Sequence, residues 1–273
     1  MKKIIIITGG AKGLGFYLTK GFVESGNIVI VISRDSKALK LCSEKLKLCK
    51  GKVITYTCDV RSYAKVSNVI KKIVKRFKQI DVLINNAGVM APVGTFDKLD
   101  MKEILNNIDV NLLGPVNTMH NVLRHMKYLK KGKIINISGG GAVKPLKELA
   151  LYSATKTALV RLSETLAHEY LDYNIQINCI APGFLNTKIH EQLFSCDIVS
   201  REIKNDFKNK LKTHTDDPNL TFKLCKYLVS EKSNNISGKL ISSIYDNWSN
   251  EEFKLDDSIF TLRRIDNTFF KKA

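Results

Sequence analysis

Short apolar runs alternate with amphipathic stretches along most of the chain. The runs predict strands at Lys3–Thr8, Ile28–Ser33, Lys52–Thr57, Val82–Asn86, Lys133–Ser138, Ile175–Ile180 and Lys239–Ile244. Apolar residues at helical spacing fill most intervals, for example at Leu14–Ser25, Ser36–Cys49, Tyr63–Phe77 and Tyr152–Tyr170. Nearly continuous apolar strands separated by helices are typical of a parallel sheet that is covered on both faces. We therefore predict a doubly wound α/β fold with a mostly parallel seven-stranded sheet.

The same pattern predicts one domain over residues 1–246, because no repeat or low-complexity linker interrupts it. Residues 247–273 form a C-terminal extension that contains the basic stretch "TLRRI". We expect this extension to pack on the body because it also contains the apolar residues Trp248, Phe253, Leu255, Ile259, Phe260 and Leu262. Its cations Arg263 and Arg264 would then be available to an anionic substrate group.

Composition narrows the functional classes. The net charge of +18 is compatible with a polyanionic partner, but the lysines are dispersed, which argues against nucleic-acid binding as the main function. The first apolar run ends in a glycine turn, and no run approaches a membrane span, so we predict a cytoplasmic protein without a membrane partner. The six cysteines and five histidines are scattered, so we expect reduced thiols and no metal site.

The segment "TGGAKGLG", Thr8 to Gly15, follows a predicted strand and opens a predicted helix. That context is typical of a turn that cradles a pyrophosphate at a helix N-terminus. Gly9 and Gly13 would permit the tight turn, and Gly15 would permit close packing of helix on sheet. The candidate cofactor-binding residues here are Thr8, Gly9, Lys12, Gly13, Leu14 and Gly15.

The end of the second predicted strand bears on the choice of dinucleotide. An acidic residue there would bind the adenosine ribose of NAD, but the sequence has Ser33 and Arg34. The planar guanidinium of Arg34 suits a phosphate, and Lys12 adds a second cation. We therefore predict that NADP(H) is preferred, with NAD(H) as the alternative because Asp35 lies one residue further on.

Two further strand ends carry weaker signals. Asp59 could accept a hydrogen bond from the adenine amino group, with Val60 packed against the ring, although an aspartate after a strand is also common in turns. The strand "DVLINNAG" ends in Asn86, Ala87 and Gly88, which would place small residues beside the cofactor.

Tyr152 and Lys156 are four residues apart on a predicted helix and therefore share one face. A free phenol has a pKa near 10 and is a poor acid or base at neutral pH. A neighbouring ammonium group and a positive nicotinamide ring would lower that pKa. The pair is a candidate for proton transfer.

Four ordered motifs, Thr8-Gly9-x-x-x-Gly13-x-Gly15, Asn85-Asn86-Ala87-Gly88, Tyr152-x-x-x-Lys156 and Pro182-Gly183-x-x-x-Thr187, resemble those of the short-chain dehydrogenase/reductase family. The resemblance implies a single-domain Rossmann fold and a small carbonyl or alcohol substrate. It also implies a homodimer or homotetramer formed through residues 101–129 and 152–170.

The resemblance also implies roles for individual residues. Tyr152 would pass a proton to or from the substrate oxygen. Lys156 would hold the nicotinamide ribose, and Asn111 would support a proton-relay water. In the segment "PGFLNT", Pro182, Gly183, Phe184 (through its backbone) and Thr187 (through its side chain) would close over the nicotinamide.

One departure from the family pattern concerns the serine that relatives place about thirteen residues before the tyrosine. In this chain that position is Gly139, and Ser138 lies one residue earlier. If the strand runs straight, Ser138 should point away from the substrate, because successive side chains alternate between faces. A bulge could bring Ser138 in as a catalytic donor, or Gly139 could leave space for a substrate group.

Three functions remain open from the sequence. The first is NADP(H)-dependent hydride transfer with Tyr152 as general acid or base. The second is a non-catalytic NADP(H)-binding regulator, which the glycine at position 139 would favour. The third is an epimerase or dehydratase acting on a nucleotide sugar with NAD, which Arg34 argues against.

Overall fold

The structure, a computed structural model, describes residues 2–187 and 190–248. Its centre is a sheet of seven parallel strands: β1 (Ile4–Thr8), β2 (Ile28–Ser33), β3 (Lys52–Thr57), β4 (Val82–Asn85), β5 (Gly132–Ile137), β6 (Ile175–Ala181) and β7 (Leu240–Ser242). The spatial order is β3-β2-β1-β4-β5-β6-β7. The order reverses at β1, so a crevice forms where the carboxyl ends of β1 and β4 diverge. This confirms the predicted fold class.

Helices cover both faces of the sheet. They are α1 (Gly13–Glu24), α2 (Ser36–Lys45), α3 (Tyr63–Phe77), α4 (Met101–Ile108), α5 (Gly114–Leu129), α6 (Ala150–Glu169), α7 (Glu191–Phe194), α8 (Arg201–Thr213) and α9 (Pro218–Val229). A π-helical turn, Asp109–Leu113, separates α4 from α5. None of the helices in residues 2–187 and 190–248 has the length and apolarity needed to span a bilayer.

The isoleucine run of β1 shows why the sheet is buried on both sides. Ile5 and Ile7 pack into one apolar cluster with α1 and α9, whereas Ile4 and Ile6 pack into another with α3 and α5. Alternate side chains of a strand point to opposite faces, so an unbroken apolar run serves both layers. The sheet is therefore rigid, and its carboxyl edge supplies fixed positions for side chains.

The predicted C-terminal extension lies almost entirely outside the described residues. Asn247 and Trp248 are its described part. Trp248 is buried in the α1/α9 cluster, and its Nε1 donates to the Ser243 carbonyl oxygen at 3.2 Å. The expectation for Arg263 and Arg264 concerns residues that the structure does not describe.

Candidate active site

The glycine turn after β1 has the backbone that the sequence predicts. Gly9 and Gly13 have φ values of +65° and +51°, which residues with a side chain rarely adopt. A Cβ atom on Gly15 would lie 2.3 Å from the Gly9 carbonyl oxygen and 2.4 Å from the Asn86 side-chain nitrogen. Only glycine therefore fits at position 15, and α1 packs directly against the ends of β1 and β4.

The N-terminus of α1 is suited to an anion. Side-chain oxygens cap α2, α3, α4, α8 and α9, but the residue that precedes α1 is Lys12, which provides no side-chain cap. The first turn of α1 also contains no acidic residue. Its unbonded N–H groups and the helix dipole therefore face the crevice, as a bound pyrophosphate requires. These residues fit a dinucleotide.

Thr8 and Asn86 join the ends of β1 and β4 beneath this turn. The Thr8 hydroxyl oxygen accepts from the backbone N–H groups of Asn86 (3.0 Å) and Ala87 (3.1 Å). In return, Asn86 Nδ2 donates to the Thr8 carbonyl oxygen at 3.0 Å. Both side chains thus fix the floor of the crevice.

Three charged side chains, Lys12, Arg34 and Asp35, lie in the glycine turn and just after β2. Lys12 and Asp35 form an ion pair at 2.5 Å, and the other Asp35 oxygen caps α2 through the Ala38 N–H. Both oxygens of Asp35 therefore have partners. Arg34 is exposed and makes no ion pair with any residue that the structure describes.

Asp59 at the end of β3 is held by Arg61, whose Nη2 lies 2.6 Å from Asp59 Oδ2. Hydrogen bonding from Arg61 lowers the pKa of Asp59, and the positive charge of Arg34 contributes to this shift. Asp59 is therefore ionised at neutral pH and lies close enough to Arg34 to sense its charge. Its neighbour Val60 packs in the core beside Gly114.

Asn111 lies in the π-helical turn and is completely buried. Its side chain accepts from Val89 N–H (2.9 Å) and donates to the Val89 carbonyl oxygen (2.8 Å) and to Asn107 Oδ1 (3.0 Å). A Cβ atom on Gly88 would lie 3.3 Å from Asn111 Oδ1 and 3.6 Å from Lys156 Nζ. Asn111 therefore fixes the segment after β4 directly beside Lys156, and its side-chain oxygen and nitrogen are both used in these hydrogen bonds.

Tyr152 and Lys156 lie on α6 with the lysine buried beneath the tyrosine ring. Lys156 Nζ is 5.7 Å from the ring centroid and donates to the Ile137 carbonyl oxygen at 2.8 Å. Burial raises the pKa of Tyr152 to about 12 and lowers the pKa of Lys156 to about 8. Desolvation is the main cause of both shifts. The lowering of the Tyr152 pKa by the ammonium together with a positive nicotinamide ring stays a prediction.

The strand end that carries Ser138 and Gly139 runs on extended, with Gly139 at φ 175° and ψ 172°. Ser138 borders the cleft, but its hydroxyl donates to the Lys156 carbonyl oxygen at 3.4 Å. A Cβ atom on Gly139 would lie 2.9 Å from the Tyr152 hydroxyl oxygen. Position 139, rather than 138, faces the tyrosine, which corrects the alternative in which Ser138 swings in.

The same distance shows that a side chain at position 139 would crowd the Tyr152 hydroxyl, because 2.9 Å is below the ordinary contact distance of these two atoms. The expectation that Gly139 leaves space for a substrate group stays a prediction. The glycine thus allows the tyrosine to approach the end of β5.

The segment after β6 is held by Asp216. Asp216 accepts from the Phe184 N–H at 2.6 Å and donates its own N–H to the Phe184 carbonyl oxygen at 2.9 Å. The Phe184 backbone is therefore already bonded, and Leu185 lines the cleft in its place. Thr187 approaches the glycine turn, since a Cβ atom on Gly13 would lie 3.7 Å from Thr187 Cβ.

One cleft of about 320 Å³ connects these parts. It runs from the glycine turn past Asn86, Ala87 and Gly88 to Ser138, Tyr152 and Lys156, and it is closed by Pro182, Gly183, Leu185 and Thr187. Sequence reasoning missed Met90, Leu185, His190 and Gln192, which also line it. Asn107 was missed as well, although its position four residues before Asn111 was a usable signal.

A dinucleotide crevice that leads to a partly buried tyrosine above a buried lysine defines a class of protein, the nicotinamide-dependent oxidoreductases with a Rossmann fold. The family model described as short chain dehydrogenase matches residues 3–197. The chain therefore belongs to the short-chain dehydrogenase/reductase family and is an NAD(P)-dependent oxidoreductase.

Named relatives agree with this assignment. The chain is 30% identical over 248 residues to 3-oxoacyl-(acyl-carrier-protein) reductase FabG of Chlamydia muridarum, covering 89% of this chain and 96% of the relative. It is 31% identical over 192 residues to L-fucose dehydrogenase of Oryctolagus cuniculus, covering 70% of this chain and 66% of the relative.

A solved structure described as ElxO with NADP bound is also similar. It has a TM-score of 0.78 and 29% sequence identity, with 89% of this chain and 97% of that chain covered. An NAD⁺-bound xylitol dehydrogenase has a TM-score of 0.81 at 22% identity, covering 88% of this chain and 96% of that chain, and it supports the fold alone.

Proposed function

We propose that the protein transfers a hydride between NADP(H) and the carbonyl or alcohol group of a small molecule. The observation that carries this proposal is the single cleft in which the uncapped N-terminus of α1 leads to Tyr152 and Lys156. The bound cofactor would supply or accept the hydride. The residues of the chain would bind and orient the cofactor and the substrate, and they would exchange a proton with the substrate oxygen.

NADP(H) is the proposed cofactor because Arg34 presents an exposed guanidinium without an ion-pair partner in the described residues. A guanidinium binds phosphate with two parallel hydrogen bonds. The nearby Asp35 does not overturn this, because Lys12 and the N-terminus of α2 occupy both of its oxygens. The NADP described for ElxO, a relative at 29% identity, supports the same choice.

Tyr152 is the proposed acid in carbonyl reduction. Burial raises the pKa of Tyr152, so the phenol is protonated at neutral pH and releases its proton only if the tyrosinate is stabilised. The Lys156 ammonium lies beneath the ring and would stabilise the tyrosinate that forms. Asn111 would act by fixing the backbone at Val89, and Leu185 replaces Phe184 as the residue proposed to contact the nicotinamide.

A screen of carbonyl compounds with NADPH tests this function directly. We expect loss of the reduced-nicotinamide absorbance with at least one class of ketone and little turnover with NADH. The relatives named for 3-oxoacyl groups and for L-fucose make β-keto esters and sugars sensible members of the panel. If every ketone failed with both cofactors, the proposal would be wrong.

The pH dependence of carbonyl reduction should reflect the loss of the proton from the Lys156 ammonium group. Its pKa of about 8 lies below the ordinary value, so the ammonium is present below pH 8 and is lost as the pH rises through that value. We expect kcat/KM for carbonyl reduction to be level at lower pH and to fall above about pH 8. The pH profile at saturating NADPH checks this. Activity that rises through the same pH range would show that a deprotonated group is required instead.

Variants at positions 138 and 139 should distinguish two effects on turnover: steric crowding of the Tyr152 hydroxyl, and the gain or loss of a hydrogen-bond donor. Gly139→Ala places a Cβ atom 2.9 Å from the Tyr152 hydroxyl, so the tyrosine must shift, and we expect kcat to fall by up to about 10²-fold. Gly139→Ser adds the same Cβ atom and a donor, and it should recover part of that loss. Ser138→Ala should change kcat by only a few-fold, because its hydroxyl bonds to Lys156 backbone.

Steady-state kinetics of the three variants on one ketone checks this order. A large loss in Ser138→Ala, with Gly139→Ala unchanged, would show that Ser138 and not position 139 faces the substrate.

We also propose a homo-oligomer formed through the segment 101–129. Large apolar side chains are exposed along it, namely Met101, Leu105, Leu113, Tyr128 and Leu129. Exposed apolar residues clustered on adjoining helices favour burial against a second copy. Light scattering at micromolar concentration distinguishes a dimer or tetramer from a monomer.

A further inference from the structure

The amide of Gln192 is held in one orientation on the cleft wall. Its Oε1 accepts from the backbone N–H groups of Met90 (2.8 Å) and Ala91 (3.0 Å). Two donors that point at one branch of the amide identify that branch as the oxygen. The NH₂ group therefore occupies the other branch, and no acceptor for it occurs in residues 2–187 or 190–248.

His190 lies on the same wall and is equally constrained. It is 7% exposed, stacks on Phe184 with centroids 4.8 Å apart, and meets the edge of Phe207 at 5.7 Å. Its Nδ1 is shielded and has no hydrogen-bond partner among the residues that the structure describes. The other ring nitrogen, Nε2, is not shielded in this way, and His190 borders the cleft.

The protonation of this imidazole follows from its surroundings. Burial lowers the pKa of His190, so the ring is neutral at pH 7 and carries one N–H. A buried N–H without an acceptor is rarer and costlier in proteins than a buried unpaired acceptor. We therefore assign the proton to Nε2, which makes His190 a donor toward the cleft.

We propose that His190 Nε2–H and the Gln192 amide determine specificity by binding a second oxygen of the substrate, separate from the reacting carbonyl. This inference rests on the proposed function and specifies its substrate class. Both donors are neutral, and the lining of the same cleft includes the apolar side chains of Met90 and Leu185. The group recognised is therefore a neutral acceptor, such as the second carbonyl of a diketone or keto ester.

The physical consequence is discrimination against simple ketones. A ketone without a second oxygen removes water from the two donors without replacing its hydrogen bonds. Such unpaired donors reduce the stabilisation of the transition state. We expect kcat/KM for the substrate with two oxygens to exceed that of its matched simple ketone by about 10²-fold.

Two conservative variants test the donors without removing their supports. Gln192→Glu keeps the oxygen that accepts from Met90 and Ala91 but replaces the NH₂ donor with an acceptor. His190→Phe keeps the ring that packs between Phe184 and Phe207 but removes the N–H. His168→Phe, an exposed position on α6, is the matched control.

The probes are diacetyl against butanone, and ethyl acetoacetate against methyl propyl ketone, each with NADPH. We expect each variant to lower the preference for the substrate with two oxygens by about 10-fold or more. Each variant should lose more activity on the substrate with two oxygens than on its matched simple ketone. NADPH titration confirms that each variant is folded.

Two outcomes would overturn the inference. One is an unmodified protein that reduces both members of a pair equally well. The other is a variant that loses activity on both members equally, which would indicate a structural role. If the unmodified protein reduced none of the four compounds or any other ketone, the proposed function itself would be contradicted.

Discussion

Replacing Tyr152 by phenylalanine is expected to lower kcat for carbonyl reduction by about 10²–10⁴-fold, the usual contribution of a positioned acid. The Tyr152 hydroxyl is the proposed proton donor, and it is protonated at neutral pH because burial raises the pKa of Tyr152 to about 12. Phenylalanine retains the ring above Lys156 and removes only the hydroxyl. NADPH affinity should therefore change little, which fluorescence titration of the variant can verify.

Tyr245→Phe is the matched control, because Tyr245 is 81% exposed and is not among the residues that line the cleft. It should keep full activity. Full activity in Tyr152→Phe would remove the catalytic assignment, and the alternative of a non-catalytic NADP(H)-binding regulator would then be the better account of Gly139.

Replacing Arg34 by aspartate is expected to reverse the cofactor preference. In the proposed cofactor site the guanidinium would supply a charge-assisted hydrogen bond to the 2′-phosphate, which corresponds to about 10–100-fold in affinity. The new carboxylate repels the phosphate and can accept from the ribose hydroxyls of NADH. NADPH should bind at least about 10-fold more weakly, and NADH should bind better than before. Titration with both cofactors measures the change.

Lys71→Asp makes the same change of charge at an exposed position on α3 and controls for the loss of overall positive charge. It should leave the ratio of the two affinities unchanged. An unmodified protein that binds NADH as well as NADPH would contradict the role of Arg34.

The fold could be predicted from the sequence because its signals are local and repeated. All seven strands were predicted within two residues of their ends, since apolar runs buried on two faces are unambiguous between amphipathic helices. The segment 101–129 contains a feature that the sequence did not predict. It contains two helices separated by a π-helical turn at Asn111, and that turn depends on side-chain bonds to the segment after β4.

The candidate site could be predicted only where a motif fixes the backbone. The glycine turn and the Tyr152–Lys156 pair lie in the cleft as expected. The role predicted for the Phe184 backbone stays a prediction. The sequence gives no sign that Asp216, 32 residues away along the chain, bonds this backbone or that Leu185 lines the cleft. His190 and Gln192 had no sequence signal, since their importance comes from partners that only the folded chain brings together.

The central claim is that a hydride passes between the nicotinamide and the substrate carbonyl in this cleft. Reduction with NADPH that carries deuterium at the transferable position, followed by mass spectrometry and NMR of the alcohol, tests it most directly. We predict one deuterium per product molecule, located on the new carbinol carbon, and no such product from Tyr152→Phe in the same time. Alcohol that forms without deuterium on that carbon would contradict the account.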